Sequence, residues 1–200
     1  MMSKAAKIAV LALVGALLSG CYMPIRFDAE IEITRTGYYS VIFDGYLVSI
    51  PLFSGLREGA IPPLEEKEKV AYTLKDFKRD SSVKEVKYFR QGRFKVNWQR
   101  SGDLLRARMV TFLRRNEPII IVKYVKETGL ITVQTNPIAK STAQRLLDSG
   151  LSMQGQLRVK TDLEVVDHNA TKVLKKETTI YVWDIKSILD SPPKINMAFR

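Results

Sequence analysis

The 200-residue chain has a single cysteine and a single histidine. One cysteine excludes any internal disulfide, so the folded part is held by its core alone. One histidine argues against a zinc site or a histidine dyad, both of which need further partners of that type. The strand and turn residues contain no Gly-x-Ser-x-Gly elbow, no Walker loop and no Gly-x-Gly-x-x-Gly fingerprint. No catalytic residue, metal ligand or cofactor site is therefore expected, and the chain reads as non-enzymatic. The paired acids Glu65-Glu66 and Asp162/Glu164 are read as solvated surface groups, and His168 as an exposed turn residue. No apolar run reaches the roughly 20 residues that a spanning helix needs.

A charge-free apolar run, Ile8 to Leu18, follows Lys4 and Lys7 and leads into Ser19, Gly20 and Cys21. A basic start, a short apolar stretch and small residues describe a secretory signal peptide covering residues 1–20. Leu18-Ser19-Gly20-Cys21 resembles the bacterial lipobox at all four positions. That resemblance implies cleavage before Cys21, diacylglycerol on its sulfur and an acylated amino terminus, with chains such as palmitate. Each buried CH₂ contributes about 0.8 kcal/mol, and two or more chains make a lasting membrane anchor. Residues 21–200 are then one extracytoplasmic domain, large enough to bury a core without staples. Tyr22 stands where enteric bacteria place an aspartate to retain lipoproteins at the inner membrane. In a host with two membranes, the expected location is the outer membrane, facing the periplasm.

The net charge is +11, of which Lys4 and Lys7 account for two. Between Lys84 and Lys126 twelve basic residues face three acids. In an intracellular protein such a block suggests nucleic acid; export removes that partner and leaves anionic lipid, wall polymer or an envelope protein. Alternation over the block predicts four strands, with Arg93, Lys95, Arg106, Arg108, Arg114 and Arg115 on one exposed face of a meander. Those six are the candidate anionic-surface residues. The competing reading of the same residues is a solvated face that keeps the domain soluble.

Elsewhere, period-two alternation from Ile25 to Ile33 and from Tyr39 to Phe43 predicts a hairpin closed at Asp44-Gly45. Residues 46–60 are apolar and read either as a buried strand interrupted by Pro51 or as a mobile loop. Pro62-Pro63 opens a helix to about Arg79, with acids first and bases last. Asn136-Pro137 caps a second helix that ends at Gly150. A long strand follows from Leu157 to Val165, then a turn at Asp167 to Ala170. A further strand runs from Thr178 to Asp184, and the tail is irregular. Asn169-Ala170-Thr171 matches the Asn-x-Thr acceptor pattern but reads as turn chemistry. The predicted class is α+β: an antiparallel, twisted sheet with two helices on one face.

His168-Asn169-Ala170 and the aromatic strand Tyr181-Val182-Trp183-Asp184-Ile185, together with the lipobox, resemble the LppM-like family of bacterial lipoproteins. The resemblance implies an anchored all-β or α+β domain, mostly without known enzymatic activity. Many members end in a transmembrane helix; no second apolar span occurs before Arg200. Together these readings point to an envelope scaffold or binding module. A lipid- or anionic-ligand-binding protein and an envelope hydrolase are the alternatives.

Overall fold

The computed structural model describes residues 22–113 and 118–199. The predicted signal peptide, Leu18, Ser19, Gly20, Cys21, Arg114 and Arg115 lie outside them.

Alternation dictates the first two strands. In β1 (Tyr22–Ile33) Ala29, Ile31 and Ile33 point inward while Glu30 and Glu32 point out. β2 (Tyr38–Ser49) returns antiparallel. It does not end at Asp44-Gly45, as the sequence suggests: those residues pair in mid-strand with Asp28 and Phe27. The glycine serves close approach. A Cβ at Gly45 would lie 2.5 Å from the Arg26 carbonyl and from Phe27 Cβ, beside a bulge at Pro24–Arg26.

The undecided segment 46–60 is neither a strand throughout nor a loop. β2 continues to Ser49, and α1 (Ile50–Arg57) begins with Pro51 in its first turn, where proline costs no hydrogen bond. α2 (Pro63–Phe77) follows as predicted, with Glu65 and Glu66 in the first turn and Lys75 in the last. β3 (Val83–Arg90) and β4 (Arg93–Asp103) form a hairpin. Gln91 and Gly92 close it at φ 52° and 71°, a primed two-residue turn that matches strand twist.

The basic block then departs from the expected meander. Ser101-Gly102-Asp103 stays in β4, paired with Ser40, Tyr39 and Tyr38. The Asp103 carboxylate caps α3 (Leu104–Ala107), accepting from the Leu105 and Arg106 N–H groups at 2.8 and 3.2 Å. Only Met109–Leu113 forms β5. The expected strand from Leu104 failed because a capping aspartate and a left-handed Arg108 (φ 57°) bend the chain between sheets. β6 (Pro118–Val125) and β7 (Leu130–Thr135) pair through the expected Thr128-Gly129 turn.

α4 (Lys140–Asp148) starts at Ala139, not at Asn136, whose amide instead donates to the Pro118 carbonyl at 2.7 Å. Gly150, at φ 82°, ends it. β8 (Gln154–Thr161) stops short of Val165. Thr161 Oγ1 donates to the Ile33 carbonyl at 2.8 Å and accepts from the Leu163 N–H at 3.1 Å, which turns the chain out of one sheet. β9 (Glu164–His168) joins the other sheet; β10 (Lys172–Lys175) and β11 (Thr179–Ile185) return to the first. The tail is not irregular: β12 (Lys194–Ala198) sits between β7 and β9, with Ile195 and Met197 buried.

Two sheets result, where the sequence predicted one. Their orders are β10-β11-β8-β1-β2-β4-β3 and β5-β6-β7-β12-β9, and β1 pairs parallel with β8. Their inner faces share one core. Phe43 from the first sheet stacks on Phe112 from the second, ring centroids 4.2 Å apart, and Trp98 packs on Phe112 at 5.3 Å. Each such buried side chain contributes about 1.5–3 kcal/mol. The helices do not share one face. α2 lies over the inner side of β3 and β4 through Phe77, which meets Phe94 and Tyr22. Ala143 and Leu146 of α4 cover Met23 and Val48 in a second apolar cluster.

Candidate functional site

Strand direction assigns the two ends of the first sheet. β1 leaves Tyr22, the residue after Cys21, and β2 returns to Ser49 opposite it. The Ser49 N–H donates to the Gly92 carbonyl at 2.8 Å, so the β3–β4 turn sits at the same end. β4 runs away from it for 11 residues, roughly 33 Å at strand rise. At its far end Leu104 N–H donates to the Gly37 carbonyl, beside the β1–β2 turn.

The six candidate cations therefore do not share a sheet face. Arg93 and Lys95 stand near Tyr22; Arg106 and Arg108 stand at the far end, on a helical turn and its exit. Arg114 and Arg115 are outside the described residues.

Near the Tyr22 end, cations and aromatic rings interleave. Lys95 pairs with Asp44 and lies 5.4 Å from the Tyr46 ring centroid. Arg93 lies 5.7 Å from that of Phe53 and donates to Gln91 Oε1 at 2.8 Å. Arg90 lies 5.6 Å from that of Phe89. Phe89 touches Tyr46 edge-on at 5.9 Å yet remains 58% exposed. Charge alone places Arg90 in the basic block but not among the six candidates, and it gives no sign of Phe89. The available signal was the run Phe89-Arg90-Gln91-Gly92-Arg93, an aromatic and two arginines around a tight turn. Lys87 stands across from Lys95 and pairs with Glu85, whose hydrogen bond raises the Lys87 pKa.

The rest of the outer face is balanced in charge. Asp28 lies directly across from Asp44, an unfavourable pairing of like charges. Arg158 offsets it, 3.2 Å from Asp28 and 3.3 Å from Glu30, while Lys160 meets Glu32 at 3.1 Å. Lys172 and Gln156 donate to Asp184 at 2.6 and 2.7 Å. The Lys172 bond first, then that of Gln156, hold the Asp184 carboxyl below its ordinary 3.8.

The acid pairs are occupied by structural partners. Glu65 meets Lys69 at 3.3 Å, and Glu66 accepts from the Tyr88 hydroxyl. Asp162 accepts the Arg35 N–H at 2.9 Å and, through its carbonyl, Arg35 Nε at 2.8 Å. His168 packs edge-on against Tyr181 at 4.8 Å, and its Nδ1 accepts the Ala170 N–H. Among the described residues no group of three His, Cys, Asp or Glu is arranged to hold a metal, and no helix is long and apolar enough to cross a membrane. An open groove of about 470 Å³ lies between α1 and α2, lined by Pro51, Leu52, Ile61 and Tyr72 with Ser49, Glu68, Lys69 and Thr73.

No family model matches the chain, and no curated protein matches it. Among solved structures, it is similar to the NMR structure of the Mycobacterium tuberculosis LppM folded domain. The two are 11% identical over 90% of this chain and 91% of that one, with a TM-score of 0.39.

Proposed function

We propose that this chain is a non-enzymatic envelope lipoprotein, a binding module tethered to a membrane through lipid on Cys21. The observation that supports it most is the position of Tyr22. Adjacent to the lipobox cysteine, it already belongs to β1, pairs with Ser49 and packs on Phe77. A domain whose first sheet includes the residue next to the anchor is held close to whatever surface carries that anchor. The unlike ends of the first sheet then differ in role, one facing the surface and one facing away. Tyr22 in place of aspartate supports the outer membrane as location in a host with two membranes.

A second reading, an amphipathic-ligand-binding protein, is supported by the α1–α2 groove. Its mainly apolar lining and polar rim suit a molecule with both characters.

Processing tests the first reading. The native protein should carry a mass consistent with cleavage before Cys21 and acylation there, and should incorporate labelled palmitate. Cys21→Ser should leave uncleaved, unlabelled precursor. Normal processing of that variant overturns the lipoprotein reading. Where two membranes exist, fractionation into inner-membrane vesicles overturns the location.

A further inference from the structure

We infer that the β3–β4 hairpin tip, with Phe89, Arg90 and Arg93, seats the domain on the anionic phospholipid surface to which Cys21 tethers it. This rests on the lipoprotein reading.

Proximity comes first. Tyr22 pairs with Ser49, and Ser49 bonds Gly92. Two strand spacings put the tip roughly 10 Å from the residue beside the anchor. That is about one Debye length at physiological salt, where charges on the tip still act on the lipid surface. Arg106 and Arg108, roughly 33 Å along β4, lie several Debye lengths away and are screened.

Charge comes second. Lys87 and Lys95 are paired with Glu85 and Asp44. Among the described residues Arg90 and Arg93 have no ion pair; each guanidinium lies over an aromatic ring instead. With Arg26 of β1, which is exposed and across from Tyr46, they are cations of this end without an ion pair, and planar guanidinium groups bind phosphate through paired hydrogen bonds.

Shape comes third. The register between β3 and β4 slips between Tyr88 and Arg90, so Phe89 is the unpaired residue of a bulge. A bulge re-aims a side chain, and this one leaves a large apolar ring more than half exposed beside two arginines. An aromatic ring flanked by cations suits the boundary between head groups and acyl chains. The turn is preorganised: two left-handed residues close it, and the Ser49 bond holds it to β2.

The test uses the acylated full-length product in vesicles. Phe89→Trp adds a reporter at the tip, against native Trp98 and Trp183, both buried. In phosphatidylglycerol-containing vesicles at low salt, the added emission should shift to the blue and be quenched by brominated acyl chains. In pure phosphatidylcholine both effects should weaken. Arg90→Glu with Arg93→Glu in the same background should raise the anionic-lipid concentration for half-maximal quenching about tenfold. A reporter at the far turn, Thr36→Trp, should stay unquenched. If the acylated protein floats with vesicles but the Phe89→Trp emission stays water-exposed, the seating inference is overturned and the tether stands. If wall polymer, not lipid, produces the shift, the lipid assignment is overturned. If the protein neither carries acyl groups nor floats, both readings fall.

Discussion

The main-chain N–H of Ser49 donates to the carbonyl of Gly92 at 2.8 Å, joining the end of β2 to the turn of the next hairpin. That turn has little slack. Gly92 sits at φ 71°, and a Cβ there would meet the Phe53 nitrogen at 2.8 Å and the Ser49 carbonyl at 3.2 Å. Backbone atoms cannot swing away as a side chain can.

Gly92→Ala should therefore lower stability by about 2 kcal/mol, combining left-handed strain with that clash. For a domain of this size the melting temperature falls by roughly 4–8 °C, read by calorimetry. An unchanged melting temperature contradicts the close approach of α1 to the turn.

Phe112 is the ring against which both Phe43 and Trp98 pack, so it joins the two sheets. Phe112→Ala should cost about 3–5 kcal/mol through lost burial and the cavity left behind. The emission of Trp98, fully buried in the native protein, should shift to the red. Loss of stability without that shift would argue against direct contact between the sheets at Phe112.

The elements that formed from neighbouring residues were legible. β1, α2, the β3–β4 hairpin and β6–β7 all follow from alternation, helix-end charge and Gly-containing turns. What alternation cannot encode is which sheet a strand joins. Arg106 and Arg108 alternate with Leu105, Ala107 and Met109 as a strand would, yet the Asp103 cap turns Leu104–Ala107 into helix. β12 escaped notice because its short run follows Pro192-Pro193, and its pairing partners Val133 and Val165 are distant in sequence. The candidate site was half legible for the same reason. Arg93 and Lys95 were found by charge, whereas Phe89 gains meaning only from a bulge and from the bond between Ser49 and Gly92.

Tyr88 links β3 to α2 through its hydroxyl, which donates to Glu66 and accepts the Gly92 N–H at 3.2 Å. Burial first, and the Glu66 bond next, raise its pKa above 10.0. A raised acid favours the neutral phenol in the fold. Its contribution to stability is complete below pH 10.0 and is lost as pH rises through the higher folded value. Burial also raises Tyr181, so alkaline titration of tyrosinate absorbance should show two late steps, of which Tyr88→Phe removes one. Glu66→Gln should bring that step earlier without reaching the ordinary value, because burial remains. A step unmoved in Glu66→Gln would sink the link between α2 and β3.

Asn169 ties the two sheets together with three hydrogen bonds from one side chain. Its Oδ1 accepts from Trp183 Nε1 and from the Lys194 N–H, each at 2.8 Å, and its Nδ2 donates to the Pro192 carbonyl at 2.9 Å. Trp183 belongs to β11 of the first sheet, and Lys194 opens β12 of the second. In the sequence His168-Asn169-Ala170 and the aromatic strand are separate features; the structure joins them through this one amide. Asn169→Ala removes the acceptor from a buried indole N–H, and the alanine methyl supplies no replacement. A buried donor left without a partner costs about 1–3 kcal/mol, more than the net gain from making the bond. The Lys194 N–H is exposed and can turn to water, so the indole dominates and a loss of about 1–3 kcal/mol is expected. Asn169→Asp keeps the acceptor and loses only the bond to Pro192, so it should cost clearly less at neutral pH. Near-ultraviolet circular dichroism should report a changed Trp183 environment in the alanine variant and a near-native one in the aspartate variant. Equal losses in the two variants would mean that the Pro192 bond, and not the indole bond, holds this junction.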